Sequence, residues 1–176
     1  MVSANEFSHV VKLIDIGAGV SNIQLAADAS ARSGLMARFD LAALDMLKAE
    51  LSLSRSAKGV LAQGSFRATL AQYCVATGDP VPVMLDEPVN IRFVTEPAAG
   101  VNVEIELDAD DCDSMFHNGQ SIDLGEAVAQ SLGLALDPYP RSADAPDQMK
   151  AAGVKSEDEV VPVGALAGLK DMLARK

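Results

Sequence analysis

Between Gly59 and Ala76 the sequence runs with a period of two, Val60, Ala62, Gly64 and Phe66 falling on alternate positions, and this pattern most restricts what the chain can become. A period of two sends successive side chains to opposite faces of an extended strand. Thr77-Gly78-Asp79-Pro80 breaks the pattern, and Val81 to Thr95 returns as a second strand. Pro82 and Pro88 fit that strand only at an edge or a bulge, because proline has no N–H for the ladder. The two segments predict a long antiparallel hairpin. Val103-Glu104-Ile105-Glu106-Leu107 alternates in the same way and reads as a strand half exposed to water.

Around this hairpin the other elements fall into place. His9 to Ile16 and Asn22 to Ala27 are strand-like, and Gly17-Ala18-Gly19 between them predicts an opening hairpin. Asp28 and Ser30 are helix-capping types ahead of Leu35, Met36 and Phe39 at helical spacing. Asp40 reads as the cap of a second helix, in which Leu41, Leu44, Leu47 and Leu51 line one core-facing stripe. Ser121 reads as the cap of an amphipathic helix whose buried face is Leu124, Val128 and Leu132. Leu136-Asp137-Pro138-Tyr139-Pro140-Arg141 cannot continue that helix and is a stiff extended segment. Residues 142–159, poor in large apolar side chains, read as a mobile linker, and Leu166, Leu169 and Leu173 mark a terminal helix. The expected architecture is α+β, mainly antiparallel strands with short helices packed on one side. Residues 1–141 form one domain, and residues 142–176 an acidic linker with a C-terminal helix.

Charge and composition narrow the class of function. With 176 residues and 49% apolar side chains, one hydrophobic core is the expected solution. Aromatic residues make up 4% and tryptophan is absent, which argues against a surface that stacks on nucleic-acid bases. The net charge is −11, divided as −2 over residues 1–100 and −9 over residues 101–176. Such a field repels phosphate backbones and attracts cationic partners such as basic proteins. No run approaches the roughly 20 apolar residues of a membrane span. The first residues lack the basic and apolar segments of a signal peptide. The expectation is a cytoplasmic protein with its two cysteines as free thiols and no membrane partner.

Catalytic and metal-binding patterns are sparse. Gly17-Ala18-Gly19 lacks the third glycine of a nucleotide loop, and no Gly-Lys-Ser or Gly-Lys-Thr element occurs. Cys74 and Cys112 belong to no Cys-x-x-Cys pair. The run Asp108-Ala109-Asp110-Asp111-Cys112-Asp113 with His117 is the one local cluster of metal-ligand types. It lacks the glycine and terminal glutamate of a calcium loop and reads as a solvated charge run. The expectation is therefore no catalytic residues, no metal and no cofactor. The alternative is a small metal- or thiol-dependent enzyme built on Cys112 and His117, or a metal-binding module. Lys48, Arg55, Lys58 and Arg67 form the densest basic stretch, which reads first as an ordinary solvated surface and, as the functional alternative, supplies the candidates for RNA contact. Asp137, Tyr139 and Arg141 are candidates for a partner-binding surface, since two prolines preorganise the backbone and Tyr and Arg are common hot-spot residues. A scaffold reading stands beside it, with Tyr139 plugging the core and Arg141 paired to a carboxylate.

Three stretches together resemble the YceD-like family, the large ribosomal RNA accumulation proteins of bacteria and plastids. They are Leu35-Met36-Ala37-Arg38-Phe39-Asp40-Leu41; Gly64-Ser65-Phe66-Arg67-Ala68-Thr69-Leu70-Ala71-Gln72-Tyr73-Cys74-Val75-Ala76-Thr77 with Pro80-Val81; and Ile122-Asp123-Leu124-Gly125-Glu126-Ala127-Val128 running on to Leu134-Ala135-Leu136-Asp137-Pro138-Tyr139-Pro140-Arg141. The resemblance spans most of residues 6–141, with Cys74, Asp123, Gly125, Pro138 and Pro140 as its motif positions. Many members carry a second cysteine where this chain has Thr77. The tail Pro162-Val163-Gly164-Ala165-Leu166 is similar to a family segment but lacks its aromatic residue. The resemblance implies a non-enzymatic factor for the synthesis, processing or stability of large-subunit ribosomal RNA. The partners it implies are a basic ribosomal protein or a pre-ribosomal particle.

Overall fold

The computed structural model describes residues 5–17, 19–95 and 113–155. Its elements are β1 (Val10–Lys12), a 3-10 turn (Leu13–Asp15), β2 (Ser21–Ala26), α1 (Ala29–Phe39), β3 (Leu41–Ser56), β4 (Gly59–Tyr73), β5 (Pro80–Thr95), β6 (Asp113–His117), β7 (Ser121–Asp123), α2 (Leu124–Ala135) and α3 (Ala145–Ala151). A five-stranded sheet runs in the order β2-β3-β4-β5-β6, antiparallel except for the parallel β5–β6 pair. β1 and β7 form a separate antiparallel pair. The α+β class with mainly antiparallel strands is the observed one. The predicted β4–β5 hairpin forms in register from Val60 opposite Phe93 to Tyr73 opposite Pro80. Pro80, Pro82 and Pro88 lie on the part of β5 that β6 does not reach, since β6 pairs only with Ile91–Thr95.

Five expectations need correction. Leu41, Leu44, Leu47 and Leu51 are core residues, none more than 5% exposed, but they lie on β3 and not on a helix. Register shifts between Leu41 and Ala43 and between Leu44 and Met46 each place an extra β3 residue against β4. Each extra residue reverses the phase of the strand, so leucines three apart return to the same face and imitate a helical stripe. Asp40 ends α1 instead of opening a helix, and the true cap at the start of α1 is Asp28, which accepts the Ala31 N–H at 2.8 Å.

The opening hairpin does not form. β1 pairs with β7 and β2 with β3, so Gly17 and Gly19 join two sheets. The helix after β7 is capped by Asp123, not Ser121, which lies within β7. Residues 145–151 form α3 where composition predicts a linker. Ala145 is fully buried, and Gln148 reaches Asp79 at 3.5 Å. The Val103–Leu107 strand, Cys112 with most of the acidic run, and the terminal helix at Leu166–Leu173 lie outside the described residues.

The core fills one face of the large sheet. Leu47, Ala49, Leu51 and Leu53 on β3, Val60, Ala62, Phe66, Ala68 and Leu70 on β4, and Val89, Ile91 and Phe93 on β5 are buried in one cluster. Leu35 of α1 and Leu124, Val128 and Leu132 of α2, all fully buried, belong to the same cluster. The opposite face carries cross-strand rows of polar side chains, such as Lys48 opposite Arg67 opposite Asp86. No helix among the described residues is long and apolar enough to cross a membrane.

Candidate functional site

At the end of the sheet where α1 stops and β3 begins, the fold brings the three family-like stretches to one cleft of about 330 Å³. Phe39 and Asp40 come from the first stretch, Gln72 and Tyr73 from the second, and Leu136, Asp137, Pro138 and Pro140 from the third. Local chemistry fixes each wall. The Asp40 N–H closes α1 on the Met36 carbonyl, and Asp40 itself takes a left-handed conformation, φ 51°. The Pro138 and Pro140 segment leaves α2 extended, and Asp137 Oδ1 accepts the Tyr139 N–H at 2.8 Å in an Asx turn. Gln72 continues the inward row Val60, Ala62, Phe66, Ala68, Leu70 and is 7% exposed, with Nε2 donating to the Asp137 carbonyl at 2.9 Å. Among the described residues its Oε1 is buried without a partner, as is the hydroxyl of Ser142.

Of the three partner-surface candidates, Asp137 lines this cleft. Tyr139 is 73% exposed, so it does not plug the core. Arg141 is exposed and makes no ion pair among the described residues. Cys74 sits behind the segment and is 2% exposed. Its thiol accepts the Ser142 N–H at 3.3 Å, while the Val75 N–H donates to the Pro140 carbonyl at 2.9 Å. The Thr77 hydroxyl and then the Ser142 N–H favour the thiolate and hold the thiol well below its ordinary range, against burial. These contacts pin the Pro140–Ser142 segment to the end of β4.

Asp123 and Gly125 hold the amino-terminal segment. Asp123 accepts from Asn5 Nδ2, Ser8 Oγ and the His9 N–H at 3.1, 2.7 and 2.8 Å, and caps α2 through the N–H groups of Gly125 and Glu126. Burial pushes its carboxyl up, and these donors outweigh it and hold the group below its usual value. Gly125 lies against the crossing backbone: a Cβ there would stand 2.7 Å from both the His9 nitrogen and the Phe7 carbonyl oxygen. Arg38, also in the first family-like stretch, forks onto Glu126 through two 2.8 Å hydrogen bonds and reaches Glu6 at 3.4 Å. Hydrogen bonding to Glu126 raises the Arg38 pKa, and Arg38 in turn lowers that of Glu126.

The four basic candidates separate into two pairs. Lys48 and Arg67 are cross-strand neighbours in the middle of the open sheet face, where Arg67 is paired with Asp86 at 3.0 Å. Arg55 and Lys58 lie at the β3–β4 turn, seven residues further along β3 in the case of Arg55, or about 23 Å. Arg55 donates to the Leu13 carbonyl at 3.2 Å. His117 ends β6 at that same turn, its Nδ1 accepting the Gly119 N–H at 3.0 Å. Among the described residues no three His, Cys, Asp or Glu side chains converge to hold a metal.

Asp40, Gln72 and the aromatic walls Phe39 and Tyr73 escape sequence reasoning as site residues. Gln72 leaves one trace, a lone amide on the inward positions of an otherwise apolar strand. Asp40 leaves another, an acid just past a helix end where glycine or a cation is the stabilising choice. No curated protein and no solved structure gives a significant match to the chain. Residues 62–171 match the model of the family described as large ribosomal RNA subunit accumulation protein YceD, and the chain belongs to that family.

Proposed function

We propose that this chain is a non-enzymatic ribosome-biogenesis factor that supports the synthesis, processing or stability of large-subunit ribosomal RNA by binding a basic ribosomal protein or a pre-ribosomal particle. The observation that carries this reading is the family match over residues 62–171. Two features support the mode of action. The net charge of −11 favours a cationic protein over naked RNA as the direct partner. The residues that resemble the family gather at one cleft and at the Asp123 tether, so they serve a surface and its framework. Purification of the tagged chain from growing cells tests the proposal. Large-subunit proteins and precursor RNA are expected with it at low salt and are lost as salt rises. Recovery of small-subunit components alone, or of no ribosomal component, contradicts it.

A further inference from the structure

The two sides of the large sheet are finished differently. Along the part of β5 that β6 leaves free, Pro80, Pro82 and Pro88 fall on positions of one parity. A proline cannot donate to β4, so these positions turn outward, and the edge there is poor in N–H groups and blunted against a further strand. β6 itself carries Asp113 and His117. β2, the edge strand on the opposite side, lacks such protection: Ser21-Asn22-Ile23-Gln24-Leu25-Ala26 contains neither proline nor charge. The Ala27 N–H donates to the Leu47 carbonyl at 3.0 Å, so Ser21, Ile23 and Leu25 are the β2 residues that bond to β3. The main-chain groups of Asn22, Gln24 and Ala26 therefore turn outward. All three residues are exposed, and among the described residues their N–H and carbonyl groups have no partner. Beside Gln24 and Ala26 opens a recess of about 410 Å³, with the buried Phe7 and Leu25 and the acidic Glu6 and Asp28 among its walls. Glu6 is shared with Arg38 at 3.4 Å, and Asp28 Oδ1 accepts the Ala31 N–H. Glu50, opposite Gln24 on β3, adds a carboxylate on the open face.

Resting on the reading that this protein binds a basic protein partner, we propose that the free edge of β2 takes up an extended segment of that partner as a sixth strand of the five-stranded sheet. Donors and acceptors alternating along about 20 Å of strand match another extended main chain. A phosphate backbone offers no such alternation. Successive side chains of the added strand point to opposite faces, and one set turns towards the recess. There the stem of a lysine or arginine packs on Phe7 and Leu25 while its charge reaches Glu6 and Asp28. The other set lies on the open face beside Gln24 and Glu50. A second copy of the chain suits this edge less well, since it brings a further charge of −11. Two paired strands of this length also cover far less than the roughly 1,200 Å² that stable interfaces bury. A segment of a larger partner escapes that limit, because contacts elsewhere hold it near the edge.

Fluorescence anisotropy with the full chain tests this at physiological salt, using a short labelled peptide of alternating lysine and threonine. With its lysines turned to the recess, the threonines stand opposite Asn22 and Gln24 and bond to them. A second peptide has the threonine nitrogens methylated, which keeps the charge and removes those donors. The Gln24→Pro variant removes one outward donor of β2 and leaves the ladder to β3 intact, as the prolines of β5 do for β4. The proposal expects saturable binding of the first peptide, weakened at least about tenfold by methylation and at least about fivefold by Gln24→Pro. Should Gln24→Pro fail to fold by circular dichroism, the methylated peptide on the parent chain decides alone. Absence of saturable binding, equal affinity for the two peptides, or unchanged affinity in a folded Gln24→Pro variant overturns the proposal. Light scattering that finds a dimer of the parent chain, lost in Gln24→Pro, assigns the edge to a second copy and overturns it too. Peptide binding by purified protein is read independently of ribosomal RNA in cells, so failure of the edge and failure of the proposed function are told apart.

Discussion

Gly125→Ala sets two physical effects against each other. Helix propensity favours alanine by up to about 1 kcal/mol, and less in a first turn such as this. Against that, the new Cβ would lie 2.7 Å from the His9 nitrogen, 2.7 Å from the Phe7 oxygen and 2.8 Å from the Ser8 carbonyl carbon. All three are main-chain atoms, so no side chain can swing aside. Relief requires the segment from Asn5 to Lys12 to shift. That shift strains the Leu124 N–H to His9 carbonyl bond at 3.0 Å, the Asp123 tether and the short β1–β7 pairing. Overpacking of this kind costs about 1–3 kcal/mol, and the propensity gain removes only part of it. A net loss of about 2 kcal/mol lowers the melting temperature of a domain of this size by roughly 4–8 °C. Gly133→Ala in the same helix is the comparison. Its Cβ meets the ring edge of Phe39 at 2.8 Å, a side-chain contact and not main chain, so it is expected to lower melting less than Gly125→Ala does. Thermal unfolding followed by circular dichroism decides. Gly125→Ala melting at or above the parent would refute the reasoning.

Further outcomes follow from the same contacts. Asp123→Ala removes the α2 cap and the tether and is expected to cost about 2 kcal/mol. Because the folded carboxyl lies below its ordinary value, its contribution is complete above about pH 4 and is lost as pH falls through the lower folded value. The variant should therefore show a flatter acid limb in chemical unfolding, and an unchanged limb would count against it. Arg38→Ala strands Glu126, and a double-mutant cycle with Glu126→Gln is expected to give a coupling of about 1 kcal/mol, both groups being partly exposed. A coupling near zero would show the fork to be ornamental. In a Cys112→Ala background, Thr77→Val should raise the pH at which Cys74 develops thiolate absorbance, and an unchanged titration contradicts the hydrogen-bond account. The purified chain should bind naked RNA only weakly at physiological salt. Tight binding abolished by Lys48→Ala with Arg67→Ala would place RNA on the open sheet face instead.

Most of the fold was legible where one period held. The long alternations of β4 and β5, the apolar face of α2 and the Asp28 cap of α1 appear in the structure as the sequence suggests. Legibility failed where a distant segment decided the outcome. The leucines of β3 are spaced by bulges that only the partner strand β4 defines. β1 is a strand because β7 pairs with it, more than a hundred residues away. The α3 segment is ordered by burial of Ala145 and by contact with the β4–β5 turn, which its own composition does not reveal. The site divides in the same way. Asp123, Gly125, Pro138 and Pro140 stand out as motif residues, and the structure supplies their physical tasks. Asp40 and Gln72 are single polar residues whose significance comes from being brought to Asp137 across the fold.

The proposed dependence of large-subunit ribosomal RNA on this chain is read most directly from the amount of that RNA relative to small-subunit RNA. A strain lacking the gene should show a lowered ratio, deepened by cold, that returns to normal when the chain is supplied again. A ratio unchanged by the deletion at both ordinary and low temperature contradicts the account.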